Sequence, residues 1–190
     1  MRVLPRMFTI CFAGFLAAAV CLAAEFSADF VEIRGSRTSS GKFFMKDGKI
    51  RREVTEGKPG ILISRPDKNV VWMLNPANKT YVELPGIGDE AAALSEAQSA
   101  AKKLGDRKLV GEESINGYAC DKYAFVFNDK ALGTQYQWVS KKFKIPIKLE
   151  SEGARFQMSR EYKNIKEESV PDSLFDLPAG FTKVALPALK

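Results

Sequence analysis

Few side chains in this sequence are placed to do covalent chemistry. Ser99-Ala100-Ala101-Lys102 has the Ser-x-x-Lys spacing that, on a helix, lets a lysine amine activate a serine hydroxyl. No Ser-Asp-Asn or Lys-Thr-Gly companion follows, and four-residue matches in an alanine-rich stretch arise readily by chance. Cys120 sits in a predicted strand with no histidine to take its proton, so it reads as a buried structural thiol. Glu112-Glu113 and Glu167-Glu168 are neighbours in the chain, and neighbours on a strand face opposite ways. The chain contains no histidine at all, which removes Ser-His-Asp triads, Cys-His dyads, histidine metal sites and the histidine pH switch. Glycine-rich phosphate loops and calcium-loop spacings are also missing. The expectation is a protein that is not an enzyme and needs no cofactor or metal.

What the sequence does concentrate is large apolar side chains at strand spacing. Tyr123, Phe125 and Phe127 share one face of a predicted strand, Tyr136 and Trp138 alternate on the next, and Phe156, Met158 and Tyr162 follow on the last. Trp72 and Leu74 share a face with Val70, while Val71 and Met73 fill the other, and an apolar strand on both faces exceeds what a one-sided sheet requires. Trp72, Leu74, Phe125, Trp138 and Met158 are the candidate lining of a ligand cavity. Two readings stay open: a barrel core filled by these side chains, or an apolar hollow that receives acyl chains.

The elements that position these residues are strands. From Phe26 onward the hydrophobic period is two, and turn signals arrive every eight to twelve residues, the spacing of an antiparallel sandwich or barrel. Strands are predicted over 26–34, 37–46, 49–55, 60–65, 69–75, 79–84, 107–115, 118–127, 134–141, 145–152 and 154–165. Asp47-Gly48 and Asn116-Gly117 suit the positive φ of tight type I′ hairpins. Helix formers dominate 89–104, with acids first, lysines last and Gly105 as a C-cap. Leu94, Ala97, Ala101 and Leu104 fall on its apolar stripe together with Ala91. That stripe is mostly alanine and buries little area, which fits a plug at one end of a barrel or a movable lid. Residues 170–181 read as a short helical turn followed by an extended end.

The first 24 residues stand apart. Arg2 and Arg6, the uncharged apolar run 7–20 and the small residues before Glu25 form a secretory signal pattern, with cleavage expected near Ala23 or Ala24. The run is shorter than the roughly 20 residues a membrane span needs. Without the signal, the formal charge falls from +6 to +4 and Cys120 is the one remaining cysteine, so no internal disulfide is expected. Residues 25–190 are expected to form one periplasmic domain that does not span the membrane. Its charge is spread along the chain, which excludes the basic cluster of a nucleic-acid binder.

Several motifs carry a resemblance. Arg65-Pro66-Asp67-Lys68-Asn69-Val70-Val71-Trp72-Met73-Leu74-Asn75-Pro76, followed by Lys79-Thr80-Tyr81, resembles a hairpin of the LolA-like superfamily of periplasmic lipoprotein-sorting proteins. Phe26-Ser27-Ala28-Asp29, Asn116 to Tyr123, Trp138-Val139-Ser140-Lys141 with Ile145-Pro146-Ile147-Lys148, and Pro171 to Phe175 with Leu177 to Gly180 are similar to a poorly characterised branch of it. The resemblance implies a mainly β fold, an open antiparallel half-barrel of about eleven strands with one main helix as lid or plug. It implies a hydrophobic ligand or lipoprotein acyl chains as partner, and a role in outer-membrane lipoprotein sorting. Two departures go with it: the strand starting at Phe26 stands where the carrier branch has an N-terminal helix, and the carrier's ligand-contacting arginine has no matching position. The alternative expectation is a filled barrel that docks an envelope protein as a sensing or interaction module.

Overall fold

The computed structural model describes residues 25–86, 103–154 and 157–185. Alternating side chains and turn residues resolve into twelve strands: β1 (Phe26–Arg34), β2 (Arg37–Lys46), β3 (Lys49–Glu56), β4 (Gly60–Arg65), β5 (Val70–Asn75), β6 (Thr80–Pro85), β7 (Gly105–Ile115), β8 (Tyr118–Phe127), β9 (Thr134–Ser140), β10 (Pro146–Glu152), β11 (Gln157–Lys166) and β12 (Thr182–Lys183). They form one open sheet in the order β12-β6-β5-β4-β3-β2-β1-β11-β10-β9-β8-β7. Asp47 and Gly48 (φ 50° and 76°) and Asn116 and Gly117 (φ 51° and 85°) make the two expected hairpins, each with positive φ at both central residues.

Two features correct the sequence expectation. The sheet has a twelfth strand, and β12 pairs in parallel with β6 (Thr182 opposite Thr80), so the sheet is mostly rather than wholly antiparallel. Among the described residues no helix reaches seven residues: there are 3₁₀ turns at Pro66–Lys68 and Asp172–Phe175, and Lys103 and Leu104 are helical. The helix expected over 89–104 falls otherwise on residues outside the described set, so a main helical lid is not part of the described architecture. None of the described helices is long and apolar enough to cross a membrane.

The larger core cluster centres on Phe26, Ala28, Phe30, Phe43, Met45 and Tyr162, and continues to Cys120, Trp138, Ile147 and Phe143 in the β9–β10 turn. The rings of Phe43 and Tyr162 lie 4.4 Å apart, as do those of Phe26 and Phe143. A second cluster joins Ile63, Trp72 and Leu74 to Val170 and Phe175 of the C-terminal tail. The tail is tied down by polar contacts as well. Arg65 donates to the Phe175 carbonyl at 3.1 Å and to Asp176 at 2.8 Å, while its other nitrogens grip Asp67 at 2.7 and 2.8 Å. Arg51 donates to the Leu174 carbonyl at 2.9 Å, and Lys46 and Lys49 both reach Asp172.

These clamps give stability a pH dependence. Arg65 holds the Asp67 carboxyl down from its ordinary 3.8 to about 2, and lysine contacts lower Asp172. A depressed carboxylate stabilises the fold above its unfolded pKa, and that contribution is lost as pH falls through the folded value. The melting temperature should therefore decline from about pH 4 toward pH 2, and Asp67→Asn should flatten part of that decline in a calorimetric pH series.

Candidate ligand-binding face

Cross-strand partners project to the same side of a sheet, so the register sorts every strand residue onto one of two faces. One face carries Phe44, Ile61, Ile63, Trp72, Leu74 and Tyr81 and is the side the C-terminal tail packs against. The opposite face is described by two long rows. Leu109, Tyr123, Gln137, Leu149, Arg160, Glu32 and Ser39 form the first, and Phe125, Gln135, Ser151, Met158 and Arg34 the second. Further along the same face, Arg52, Leu62, Met73 and Val82 continue across β3 to β6, with Val71 and Leu84 beside them.

The composition of this open face changes along the sheet. At the β7–β8 end it is aromatic and apolar: Phe125 and Phe127 meet edge to face with centroids 4.8 Å apart, and the Arg107 guanidinium covers the Tyr123 ring at 3.4 Å. At the β4–β6 end it is aliphatic, and Met73 is 49% exposed, as Leu109 is 58% exposed at the other end. The middle carries the buried core residues Ala28, Phe30, Phe43 and Tyr162, and beside them, toward the β1–β2 hairpin, a polar and charged stretch. Gln137 donates to Gln135 at 2.9 Å and Gln135 to Ser151 at 3.3 Å. The buried Glu32 carboxylate accepts from Arg34 at 2.8 Å and from Arg52 at 3.1 Å, with Arg160 at 3.6 Å. The Arg52 guanidinium rests over the Phe30 ring, 4.1 Å from its centroid. Burial disfavours the charged form of Arg52 and lowers its pKa, with Glu32 opposing the shift; burial likewise raises the Tyr162 phenol.

The five residues expected to line a cavity do not converge. Trp72 and Leu74 lie under the tail, and the Trp72 indole donates to Glu83 at 3.0 Å. Trp138 shares their face in the other half of the sheet, where its indole donates to Glu113 at 2.7 Å and the Lys122 and Lys148 amines sit 4.8 and 4.5 Å from its ring. Phe125 and Met158 lie in one row of the open face, separated by Gln135 and Ser151. Met158 borders a cleft of about 580 Å³ with Ile33, Gln157 and Ser151, and Trp72 one of about 470 Å³ with Lys68 and Glu83. Of the expected lid residues, Leu94, Ala97 and Ala101 lie outside the described residues, as do Ser99 and Lys102, while Leu104 is 57% exposed. Cys120 is fully buried, and burial raises its thiol pKa. Glu112 pairs with Lys141 and Glu113 with Lys122, so the adjacent acids act apart.

Sequence reasoning missed the arginine cluster. Its members come from β1, β3 and β11, which only the register brings together. The one signal was the alternation Glu32-x-Arg34, and nothing in it names Arg52 or Arg160.

The fold is shared with solved structures of low identity. An uncharacterized conserved protein from Thermus thermophilus aligns with a TM-score of 0.61 at 11% identity, covering 87% of this chain and 92% of its own. MucB from the Pseudomonas aeruginosa MucA/MucB complex aligns with a TM-score of 0.55 at 16% identity over 82% of this chain, which spans only 56% of the MucB length. A LolA superfamily protein from Nitrosomonas europaea also aligns, with a TM-score of 0.40 at 12% identity, covering 81% of this chain and 90% of its own. The Thermus thermophilus protein and MucB share the mainly β, open-sheet fold of this chain. No curated protein matches the sequence. A family profile described as a domain of unknown function, DUF4412, matches residues 31–145.

Proposed function

This chain belongs to the DUF4412 family, a domain of unknown function, and from that premise we propose a function read from its open face: an exported, non-enzymatic protein that shields the apolar chain of a lipid or an acylated lipoprotein in the periplasm. The carrying observation is the pair of apolar wings, Tyr123, Phe125, Phe127 and Leu109 at one end and Leu62, Val71, Met73 and Val82 at the other, on the face opposite the packed tail. Removing an acyl chain from water against such surface is worth roughly 0.8 kcal/mol per buried methylene. Complete burial of a chain of a dozen carbons is worth about 9–10 kcal/mol before the cost of association, against about −8 kcal/mol for micromolar binding, so nearly the whole chain has to be covered. The wings belong to strands, so the surface is held in place before ligand arrives and little ordering entropy is spent. The N-terminal signal pattern supports export, and delivery of lipoproteins to the outer membrane is the service such a protein would perform.

The test is direct. Protein purified from intact cells should carry lipid visible by native mass spectrometry, and a fluorescent fatty acid should bind it. Placing a carboxylate in each wing, with Phe125→Glu and Met73→Glu, should weaken the probe at least tenfold, because an ionised group would have to be desolvated beside the chain. Both positions are partly or largely exposed, so the melting temperature should move little. A protein that arrives free of lipid and ignores the probe refutes the reading. In that event the second reading gains, an envelope interaction module: MucB, which shares the fold, was solved in complex with MucA.

A further inference from the structure

The charged stretch of the open face has more cation than its own anion can satisfy. Arg34, Arg52 and Arg160 surround the single Glu32 carboxylate, leaving two positive charges in excess, and Arg37 stands directly across from Arg34 at the β1–β2 hairpin. Three guanidinium groups offer about 15 N–H donors, whereas one carboxylate presents about four acceptor sites. Arg34 is largely exposed and its surplus donors face water, but Arg52 is not in that position. Its Nε is buried and has no acceptor among the described residues, while its planar group is pinned by the Phe30 ring and the Glu32 contact. A buried donor left unpaired is costly, and structures keep few of them without a reason.

We propose that Arg34, Arg52 and Arg160 form an anion-binding site, oriented by Glu32, that takes the carboxylate or phosphate head of the amphiphile whose chain lies on an apolar wing. This rests on the lipid-binding reading for the chain and adds the chemical class of the head. The placement carries it: the cluster lies between the two wings on the same face, so a head group bound there lets a chain run along either one. Arginine suits the task because its fork pairs two oxygens of a carboxylate or phosphate at once. Glu32 fixes the guanidinium groups from below and lowers the repulsion among them, which makes it a positioning residue. Burial disfavours the charged form of Arg52, and an incoming anion would offset that penalty.

The experiment compares decanoate, decanol and inorganic phosphate by calorimetric titration of the purified protein, below the micellar concentration. Decanoate should bind at least tenfold tighter than decanol. Arg160→Gln should abolish that preference and leave decanol affinity within twofold. Arg160→Lys should recover only part of it, since the charge returns without the fork. Circular dichroism melts confirm that the variants fold, and the same comparison on Arg34→Gln serves if Arg160→Gln does not. Equal affinity for decanoate and decanol overturns the anion site and leaves the lipid reading standing. If neither amphiphile binds, the lipid reading fails; phosphate that then raises the melting temperature of the wild type, and not of Arg160→Gln, keeps the anion site with a free anion as its ligand. No response to phosphate in that case overturns both.

Discussion

Phe175→Ala is expected to cost about 3–5 kcal/mol of folding stability, the loss typical of deleting a buried phenylalanine ring. Phe175 is fully buried and sits with Ile63, Trp72, Leu74 and Val170 in the cluster that joins the C-terminal tail to the sheet. The ring cannot simply leave its place to water. Its own carbonyl is held by Arg65, the preceding carbonyl by Arg51, and the Lys49 amine lies 5.6 Å from the ring centroid. These anchors keep the backbone where it is, so the cavity collapses little and most of its cost is retained. Urea unfolding followed by tryptophan fluorescence checks the figure, because Trp72 reports on the site itself. A loss under about 1 kcal/mol would mean that the tail docks as an ornament rather than as part of the core.

The second large effect is expected at Gly41, in the middle of β2. A β-carbon built there would lie 1.7 Å from the Glu53 carbonyl oxygen and 2.9 Å from the Phe30 ring. The first of these partners is backbone of the neighbouring strand, so β2 and β3 would have to separate. Gly41 also stands at the bulge where the β2–β3 register shifts, and it lies opposite Phe30, whose ring carries Arg52. Gly41→Ala should therefore cost about 3 kcal/mol, near the upper end for overpacking, and Gly41→Val more. Gly111, at the bulge of β7, has open space and no positive φ, so Gly111→Ala is the control and should change stability by less than about 0.5 kcal/mol. If Gly41→Ala folds at all, displacing Phe30 should also loosen Arg52 and reduce the discrimination of decanoate from decanol. Matching urea midpoints for Gly41→Ala and Gly111→Ala would refute the packing argument.

Strand positions were legible because alternation and turn chemistry are local. The limits of β1, β2, β4 and β8 coincide with the expected ones, and the Asp47-Gly48 and Asn116-Gly117 hairpins follow from positive φ at both turn residues. The helical turn in the tail appears at Asp172–Phe175 where it was expected. Strand β12 was not legible, since two residues, Thr182 and Lys183, show no period. The site was legible only within single strands. Alternation tells that Trp72 and Leu74 share a side, and that Tyr123 and Phe125 share one, but not that the two pairs face opposite ways. That depends on register, and the bulges at Ser40/Gly41 and Pro146/Lys148 reset it. The arginine cluster was invisible for the same reason: Arg52 reaches Glu32 diagonally, across a position where β2 has no side chain.

Strand β1 has a kinetic consequence. It is hydrogen-bonded on one side to β2, its neighbour in the chain, and on the other to β11, near the far end, with Phe30 opposite both Gly41 and Tyr162. The strand synthesised first therefore completes its pairing only after nearly the whole polypeptide has been made, and β6 likewise waits for β12. Loops that close over such separations lose entropy before any contact repays it, which places folding toward the millisecond-to-second end of the range for single domains. If the chain is exported as proposed, that delay would be useful: the polypeptide would stay threadable during passage through a membrane channel, and the sheet would close on the far side, once its last strands had emerged.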